Sequence, residues 1–342
     1  MQDIAFMLPI VWAGLIAVAV AMYVILDGFD LGVAILFPAF RKEEQRDQMM
    51  NSIAPFWDGN ETWLILGGGG LWVAFPKAFA IIMPALYIPV ILMLLALIFR
   101  GVAFEFRFLA KPNHKPWDLA FWLGSTLAAF AQGVMLGGLI QGIRVEEGAY
   151  AAEPLDWLTP FSLMCGAGLV AGYALLGACW LMLKTEGEVA DQARRFALPL
   201  LIGVLALIGL VSLWTPIAHS RIAERWFSLP NILYLWPVPL LTALLAYWAY
   251  RGIVSGRELV PFAASIGLFL LSYGGLAIST FPFLVPPPNG GEGVTVWQAA
   301  AAPESQIFAL VGTLLMFPLI LTYTVLVYWT FRGKVRPGEG YH

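Results

Sequence analysis

Charge is what this chain has least of. Of its 342 residues only 12% are charged, and 60% are hydrophobic; a soluble domain carries about 25% charge. That excludes a soluble globular protein. With a mean hydropathy of +0.79, the chain is an integral membrane protein. Its 19 Lys and Arg residues build no basic patch, so nucleic acid is excluded as a partner, and a net charge of −3 singles out no other. Histidine is equally sparse: His114 in a loop, His219 at the end of an apolar run, and His342 as the last residue. A chain holding several haems needs buried axial ligands, usually His, Met or Cys, and no pair of them falls in facing spans. There is no CxxCH, no metal cluster, no nucleotide loop and no nucleophile–base pair. The expectation is a chain with no catalytic residue, no metal and no haem of its own. Cys165 and Cys179 share one apolar run. Fourteen residues of helix cover about 21 Å, too far for a disulfide, so both read as small buried hydrophobes. The opening MQDIAFMLPIVW lacks a basic region and a small-residue cleavage site, so the first apolar run is expected to stay as a membrane helix.

What the chain has is long apolar runs. A membrane helix needs about 20 such residues. Nine runs qualify, near 4–26 (to 37 if the helix continues), 61–79, 81–104, 117–140, 160–183, 197–218, 230–250, 260–281 and 305–331. Pro76 and Lys77 interrupt the second. Glycine pairs in LGGGGLW (66–72), GVMLG (133–137), GLIQG (138–142) and GLVAG (168–172) predict close helix packing. Pro84, Pro89 and Pro318 are candidate kinks. The expected fold is an all-α membrane protein, one polytopic domain over residues 1–342.

Lys and Arg fix the orientation expected for it. Odd-numbered loops and the C-terminus hold Arg41, Lys42, Arg46, Arg100, Arg107, Lys111, Lys115, Lys184, Arg194, Arg195, Arg251, Arg257, Arg332, Lys334 and Arg336. Even-numbered loops hold only Lys77, Arg144, Arg221 and Arg225. The N-terminus is therefore expected outside and the C-terminus in the cytoplasm. Residues 41–60 begin as a short surface helix on this reading, and the Pro/Gly-rich residues 282–304 form an irregular external loop.

Few ionisable groups lie in or beside the spans: Asp27, Asp30, Asp58, Glu61, Arg100 and Glu105. All fall toward the predicted cytoplasmic side. A carboxylate in hydrocarbon costs about 2.5–3.5 kcal/mol even on lenient scales, and such residues are functional candidates by default. Asp27 and Asp30 sit three apart in ILDGFDLGVAILF (25–37). On a continuous helix they share a face, where burial and like charge suit a carboxyl to carrying protons. The alternative is a helix break, because Asp-Gly is a turn signal. Asp58, in PFWDGNETW, is either functional or, with Asn60, a cap for a helix starting near Glu61, with Trp57 and Trp63 as interfacial anchors. Arg100 is either a snorkelling side chain or a counter-ion to an acid on another helix; Glu105, about 140° round the helix, is not its partner. Gln132 and Gln141 read as interhelical hydrogen bonders. Composition alone also fits a proton- or cation-coupled transporter, but no paired broken helices mark a midplane site.

DGFDLG (27–32), NSIAPFWDGNETWL (51–64), FRGVAFEFR (99–107) and GGLIQG (137–142) together resemble subunit II of the bacterial cytochrome bd-type quinol oxidases. The likeness is dense over the first 142 residues and continues as span count beyond. The short length resembles the cyanide-insensitive branch. The resemblance implies nine helices in two four-helix bundles plus one peripheral helix, with 1–142 as the first bundle, 160–281 as the second and 305–331 as the last helix. It implies a complex that oxidises ubiquinol or menaquinol, reduces O2 to water, and builds a membrane potential without pumping. Haems, two b-type and one d-type or b in place of d, belong to subunit I, the obligate partner. Asp27, Asp30, Asp58 and Glu105, with Arg100 alongside, match the acidic positions of a cytoplasmic proton pathway. A quinone bound near Trp57, Asn60 and Trp63, a small single-helix accessory subunit, membrane lipids and a bacterial inner-membrane location complete the expectation. A scaffold that conducts nothing is the alternative within the family.

Overall fold

Apolar segments this long have to satisfy their backbone groups internally, and helices do so without a partner strand. The computed structural model describes residues 2–336 except 111–112, 152 and 289–290, so Lys111 and His342 lie outside the described residues. The order is α1 (Gln2–Ile35), a 3-10 turn (Phe37–Ala39), α2 (Glu43–Ile53), α3 (Trp57–Ala74), α4 (Pro76–Ala85), α5 (Tyr87–Leu109), α6 (Lys115–Gln141), the hairpin β1 (Val145–Glu146) and β2 (Ala149–Tyr150), then α7 (Pro160–Lys184) and α8 (Glu188–Ala218). It continues with α9 (Ser220–Phe227), α10 (Asn231–Leu235), α11 (Pro237–Val254), α12 (Leu259–Thr280), the antiparallel pair β3 (Phe283–Val285) and β4 (Val294–Thr295), α13 (Val296–Ala299) and α14 (Pro303–Thr330).

Among the described residues eight helical stretches are long and apolar enough to cross a membrane. A further helix, α3, has the length but carries Asp58, Asn60 and Glu61 in its first turns. It runs antiparallel to α1, with Asn60 beside Leu26 and Asp30, Gly67 beside Val20 and Gly70 beside Ile16. The apolar runs expected at 61–79 and 81–104 have different boundaries. Pro76 has no N–H to continue α3, so the chain breaks there, makes the short α4, breaks again at Leu86 and starts α5 at Tyr87. α1 is one unbroken helix through Asp27 and Asp30, which overturns the helix-break alternative.

α1 and α7 form the centre. α3 packs on α1, α6 packs on both, α5 packs on α6, α8 and α12 cover α7, α11 pairs with α12, and α14 lies against α1 and α3. The α1–α7 contact is made by glycines. A Cβ on Gly32 would stand 1.8 Å from the carbonyl oxygen of Tyr173, and one on Gly177 would stand 2.3 Å from the Gly32 carbonyl carbon. Backbone therefore meets backbone, as small residues allow. Gly133 and Gly137 do the same for α6 against Cys165 and Ser162 of α7. Of the four glycines in 66–72, Gly67 and Gly70 face α1, while Gly68 and Gly69 face open space.

Two loops are more ordered than expected. The second half of α2 is buried, Gln48 to Ile53, so it is not simply a surface helix. Residues 282–304 contain β3, β4 and α13, because Val285, Val294 and Val296 bury themselves beside Ala78 and Ile81 of α4. Cys165 and Cys179 are both buried free thiols on α7.

Candidate functional site

Asp27 and Asp30 project from α1 with no exposed surface. Gly28 follows Asp27 because α7 lies there: a Cβ on it would come within 2.8 Å of the Tyr173 ring. The Asp-Gly pair that looked like a turn is a packing surface on a continuous helix.

Arg100 of α5 supplies the charge opposite them. It is buried, and its Nη2 stands 3.1 Å from Oδ1 of Asp27. Its Nη1 donates to Oε1 of Glu61 on α3. Its guanidinium lies 5.7 Å from the centre of the Trp57 ring. The snorkelling alternative is overturned, since only 1% of the side chain is exposed. Glu61 differs from the rest of the cluster in keeping 27% of its side chain exposed.

Asp30 is held separately. Asn60 Nδ2 donates to its Oδ2 at 2.6 Å and to the Leu26 carbonyl at 3.3 Å. Tyr328 of α14 donates to Asn60 Oδ1 at 3.0 Å. Oδ1 of Asp30 accepts no hydrogen bond among the described residues. A third group extends from Tyr23, one turn before Asp27. Gln132 Nε2 of α6 donates to the Tyr23 hydroxyl at 2.8 Å, and Tyr173 of α7 donates to Gln132 Oε1 at 2.8 Å. The interhelical role expected of Gln132 is met, as is that of Gln141, which accepts from Thr159 at 2.7 Å.

Of the residues picked out by sequence, Asp27, Asp30, Asn60, Glu61 and Arg100 come together. Asp58 and Glu105 do not join them: both are exposed, on the first turn of α3 and the last turns of α5. The capping expectation for Asp58 and Asn60 fails, because α3 begins at Trp57, and Phe56 is its N-cap without a side-chain bond. Trp57 packs on Phe104 at 5.0 Å between ring centres. Trp63 is buried beside Ala19 and Tyr23, not anchored at an interface.

Sequence reasoning did not find a second ionic cluster at the same end. Arg107 of α5 is fully buried; its Nη1 donates to Asp47 of α2 and its Nε to Asp118 of α6 at 2.6 Å. Arg46 also reaches Asp118, at 2.7 Å. In sequence these residues look like the ordinary charged flanks of spans; only the arrival of α2 over the helix ends encloses them.

The sequence profile of cytochrome bd terminal oxidase subunit II matches residues 8–331. The chain belongs to that family. Among curated relatives, subunit 2 of the cytochrome bd-I ubiquinol oxidase of Escherichia coli K12 is 28% identical, with 96% of this chain and 95% of the relative covered. Subunit 2 of the Bacillus subtilis cytochrome bd ubiquinol oxidase is also 28% identical, covering 96% and 97%. A chain of the bd oxidase of Geobacillus thermodenitrificans has the same fold, with a TM-score of 0.72 at 9% identity over 95% of this chain and 98% of that one.

Membership of the bd subunit II family makes the chain part of a terminal oxidase, a multi-pass bacterial membrane protein with a subunit I partner that carries the haems. Among the described residues no pair of histidines fits a haem. The two described histidines precede α6 and follow α8, at opposite ends of the bundle.

Proposed function

We propose that this chain is the second subunit of a respiratory quinol:O2 oxidoreductase and that its buried acids take up protons for O2 reduction. The complex uses ubiquinol or menaquinol, and its electrogenic character comes from drawing those protons from the cytoplasm, without pumping. The C-terminal end of the bundle, where Lys and Arg concentrate, is the cytoplasmic side; the N-terminus is outside. α1, α3, α5 and α6 make the first four-helix bundle, α7, α8, α11 and α12 the second, and α14 is peripheral. Subunit I, with two b-type haems and one d-type or a third b, packs on the exposed apolar face of α5 and α3. Exposed Ile98, Phe99 and Ile65 on that face support this placement.

The observation that carries the proton role is the partly exposed Glu61 sharing Arg100 with the fully buried Asp27. One guanidinium neutralises one carboxylate. The remaining acids of the cluster are the groups a proton can occupy in a site this buried. Asp58 and Glu105, exposed at the same end, collect protons at the mouth once the partner covers them. Trp57, Asn60 and Trp63 remain the candidate contacts of a bound quinone, and a single-helix accessory subunit has room on the outer apolar faces.

The test is Asp27→Asn in the purified two-subunit complex. Quinol oxidase turnover is expected to fall at least tenfold with haem absorbance intact. Unchanged turnover with intact haems would assign the chain a scaffold role; a native complex without reduced-haem absorbance would remove the oxidase assignment itself.

A further inference from the structure

The connection between α8 and α11 carries more exposed apolar surface than a loop in water tolerates. Phe227, Leu229, Ile232, Leu233, Tyr234 and Trp236 all stand exposed on it. A run of that kind marks a surface that meets something other than water. The register of the neighbouring helices fixes its depth.

α11 runs antiparallel to α12. A Cβ on Gly252 would stand 2.8 Å from Pro261, and one on Gly267 would stand 2.7 Å from Leu245. Counted along both helices from those contacts, Pro237, where α11 begins, is level with Gly275 and Leu276. Charge marks the other end. Arg251 and Arg257 flank the α11–α12 turn, and Arg194 of α8 donates to the Gly256 carbonyl at 3.3 Å. From Gly252 up to Pro237, α11 covers about 22 Å at 1.5 Å per residue. The hydrocarbon is about 30 Å thick, so α11 starts roughly 8 Å below its far side. α8 does not stop short: from Arg194 to Ala218 it rises about 36 Å. The chain leaves the hydrocarbon on α8 and is back inside it before α11 begins.

Two observations place the connection in that last stretch. α10 and α11 form one apolar stretch of membrane-crossing length, Asn231–Val254, bent at Pro237, which has no N–H to continue α10. Trp226 of α9 reaches down to the same level. Its Nε1 donates to Ser279 Oγ at 2.8 Å, and its ring lies 3.7 Å from a Cβ built on Gly275. Arg221 holds the same end of α12 by donating to the Ser279 carbonyl at 2.9 Å. Ile222 is buried beside Phe161 and Cys165 of α7, while Ser220 and Glu224 face outward on the opposite side of α9.

We infer that α9 lies along the membrane surface at the end of the bundle opposite Arg194, Arg251 and Arg257, and that residues 227–236 dip into the leaflet there with phospholipid as their partner. The exposed side chains continue the apolar faces of the spans they join, Leu213 on α8 and Leu240 and Leu244 on α11. Tyr234 and Trp236, each an apolar ring with a polar tip, suit the boundary between acyl chains and headgroups. α9, α10 and α11 pack on α8 and α12, away from the α3–α5 face proposed for subunit I. Nothing in this placement depends on the proton role of Asp27.

The test is a nitroxide on Leu233→Cys in the complete oxidase complex, held in phospholipid nanodiscs. Cys165 and Cys179 are buried, and the parent complex taken through the same labelling gives the blank. Glu224→Cys supplies a label on the outward face of α9, and Leu244→Cys one on the lipid face of α11. A water-soluble nickel chelate is expected to relax the label at 233 roughly threefold less than at 224, because polar solutes are excluded from hydrocarbon. Dissolved O2 should relax it more than at 224 and less than at 244. Equal access of the chelate at 233 and 224 would put the segment in water. Protection from both reagents would mean that protein, not lipid, covers it. Either result overturns the inference. Tyr234→Cys reads the same depth by the same criteria where the Leu233 variant does not assemble.

Discussion

Nη2 of Arg100 on α5 stands 3.1 Å from Oδ1 of Asp27 on α1, and neither side chain is open to solvent. The two residues are 73 positions apart in the chain. Their pairing ties the only described arginine that reaches α1 to an acid that would otherwise be an isolated charge in apolar surroundings.

Arg100→Gln is expected to destabilise the complex by about 3–5 kcal/mol, the usual effect of stranding a buried partner charge. Thermal unfolding of the purified complex, followed by haem absorbance, reads it. Arg100→Lys should fall between, because a point charge cannot reach Asp27 and Glu61 with the same fork. A glutamine variant as stable as the parent would show that Arg100 neutralises nothing.

The α1–α7 contact makes a sharper steric prediction. Gly32→Ala places a methyl group 1.8 Å from the Tyr173 carbonyl, where only backbone can yield. Helix separation and failure of assembly are expected, seen as loss of the intact complex on size exclusion. Gly68→Ala meets nothing within 4 Å and should leave the stability within about 0.5 kcal/mol of the parent or raise it, since alanine favours helix.

Asp118 and Asp47 share Arg107 unequally. Asp118 is the more enclosed, with 9% of its side chain exposed against 24% for Asp47, and it also holds Arg46. Asp118→Asn is expected to cost about 3 kcal/mol and Asp47→Asn about half that. The double variant should cost less than the sum, because both act on one guanidinium. Additive losses in thermal melts would separate the two pairs.

The segment after α14 is pinned to the same end. Lys184 donates to the Phe331 carbonyl and, at 2.6 Å, to that of Gly333. Val335 N–H donates to the Lys184 carbonyl at 2.8 Å, and Gln48 Nε2 donates to the Val335 carbonyl at 2.8 Å. Ending the chain after Arg332 leaves the Lys184 ammonium short of an acceptor, and a loss of about 1–3 kcal/mol follows. Limited proteolysis in the 185–187 turn should quicken with it; an unchanged cleavage rate would show that the segment restrains nothing there.

Much of this organisation was readable from residue order. Continuous apolar runs of about 20 residues cross a membrane as helices, since barrel strands are about half that length, so the spans at 117–140, 160–183 and 305–331 match α6, α7 and α14 closely. Proline marked the break at 76 because it lacks an N–H, although the residues on either side of it were assigned to one helix. Asp27, Asp30, Glu61 and Arg100 stood out because ionisable groups in or beside such runs are costly enough to need a reason.

Other features depend on which helices become neighbours. Gly28 reads as half of a turn until Tyr173 is seen against it. Arg107, Asp47 and Asp118 read as solvated flanks until α2 folds over the helix ends. Asp58 and Glu61 are three residues apart on α3, yet one faces outward and the other reaches Arg100. Helical periodicity says that two residues differ in direction, but it does not say which direction is inward. Burial comes from packing between segments far apart in the chain, so composition settles the membrane and the helices, while the pairing of Asp27 with Arg100 exists only once α6, packed on both α1 and α5, brings the Arg100 side chain within reach of α1.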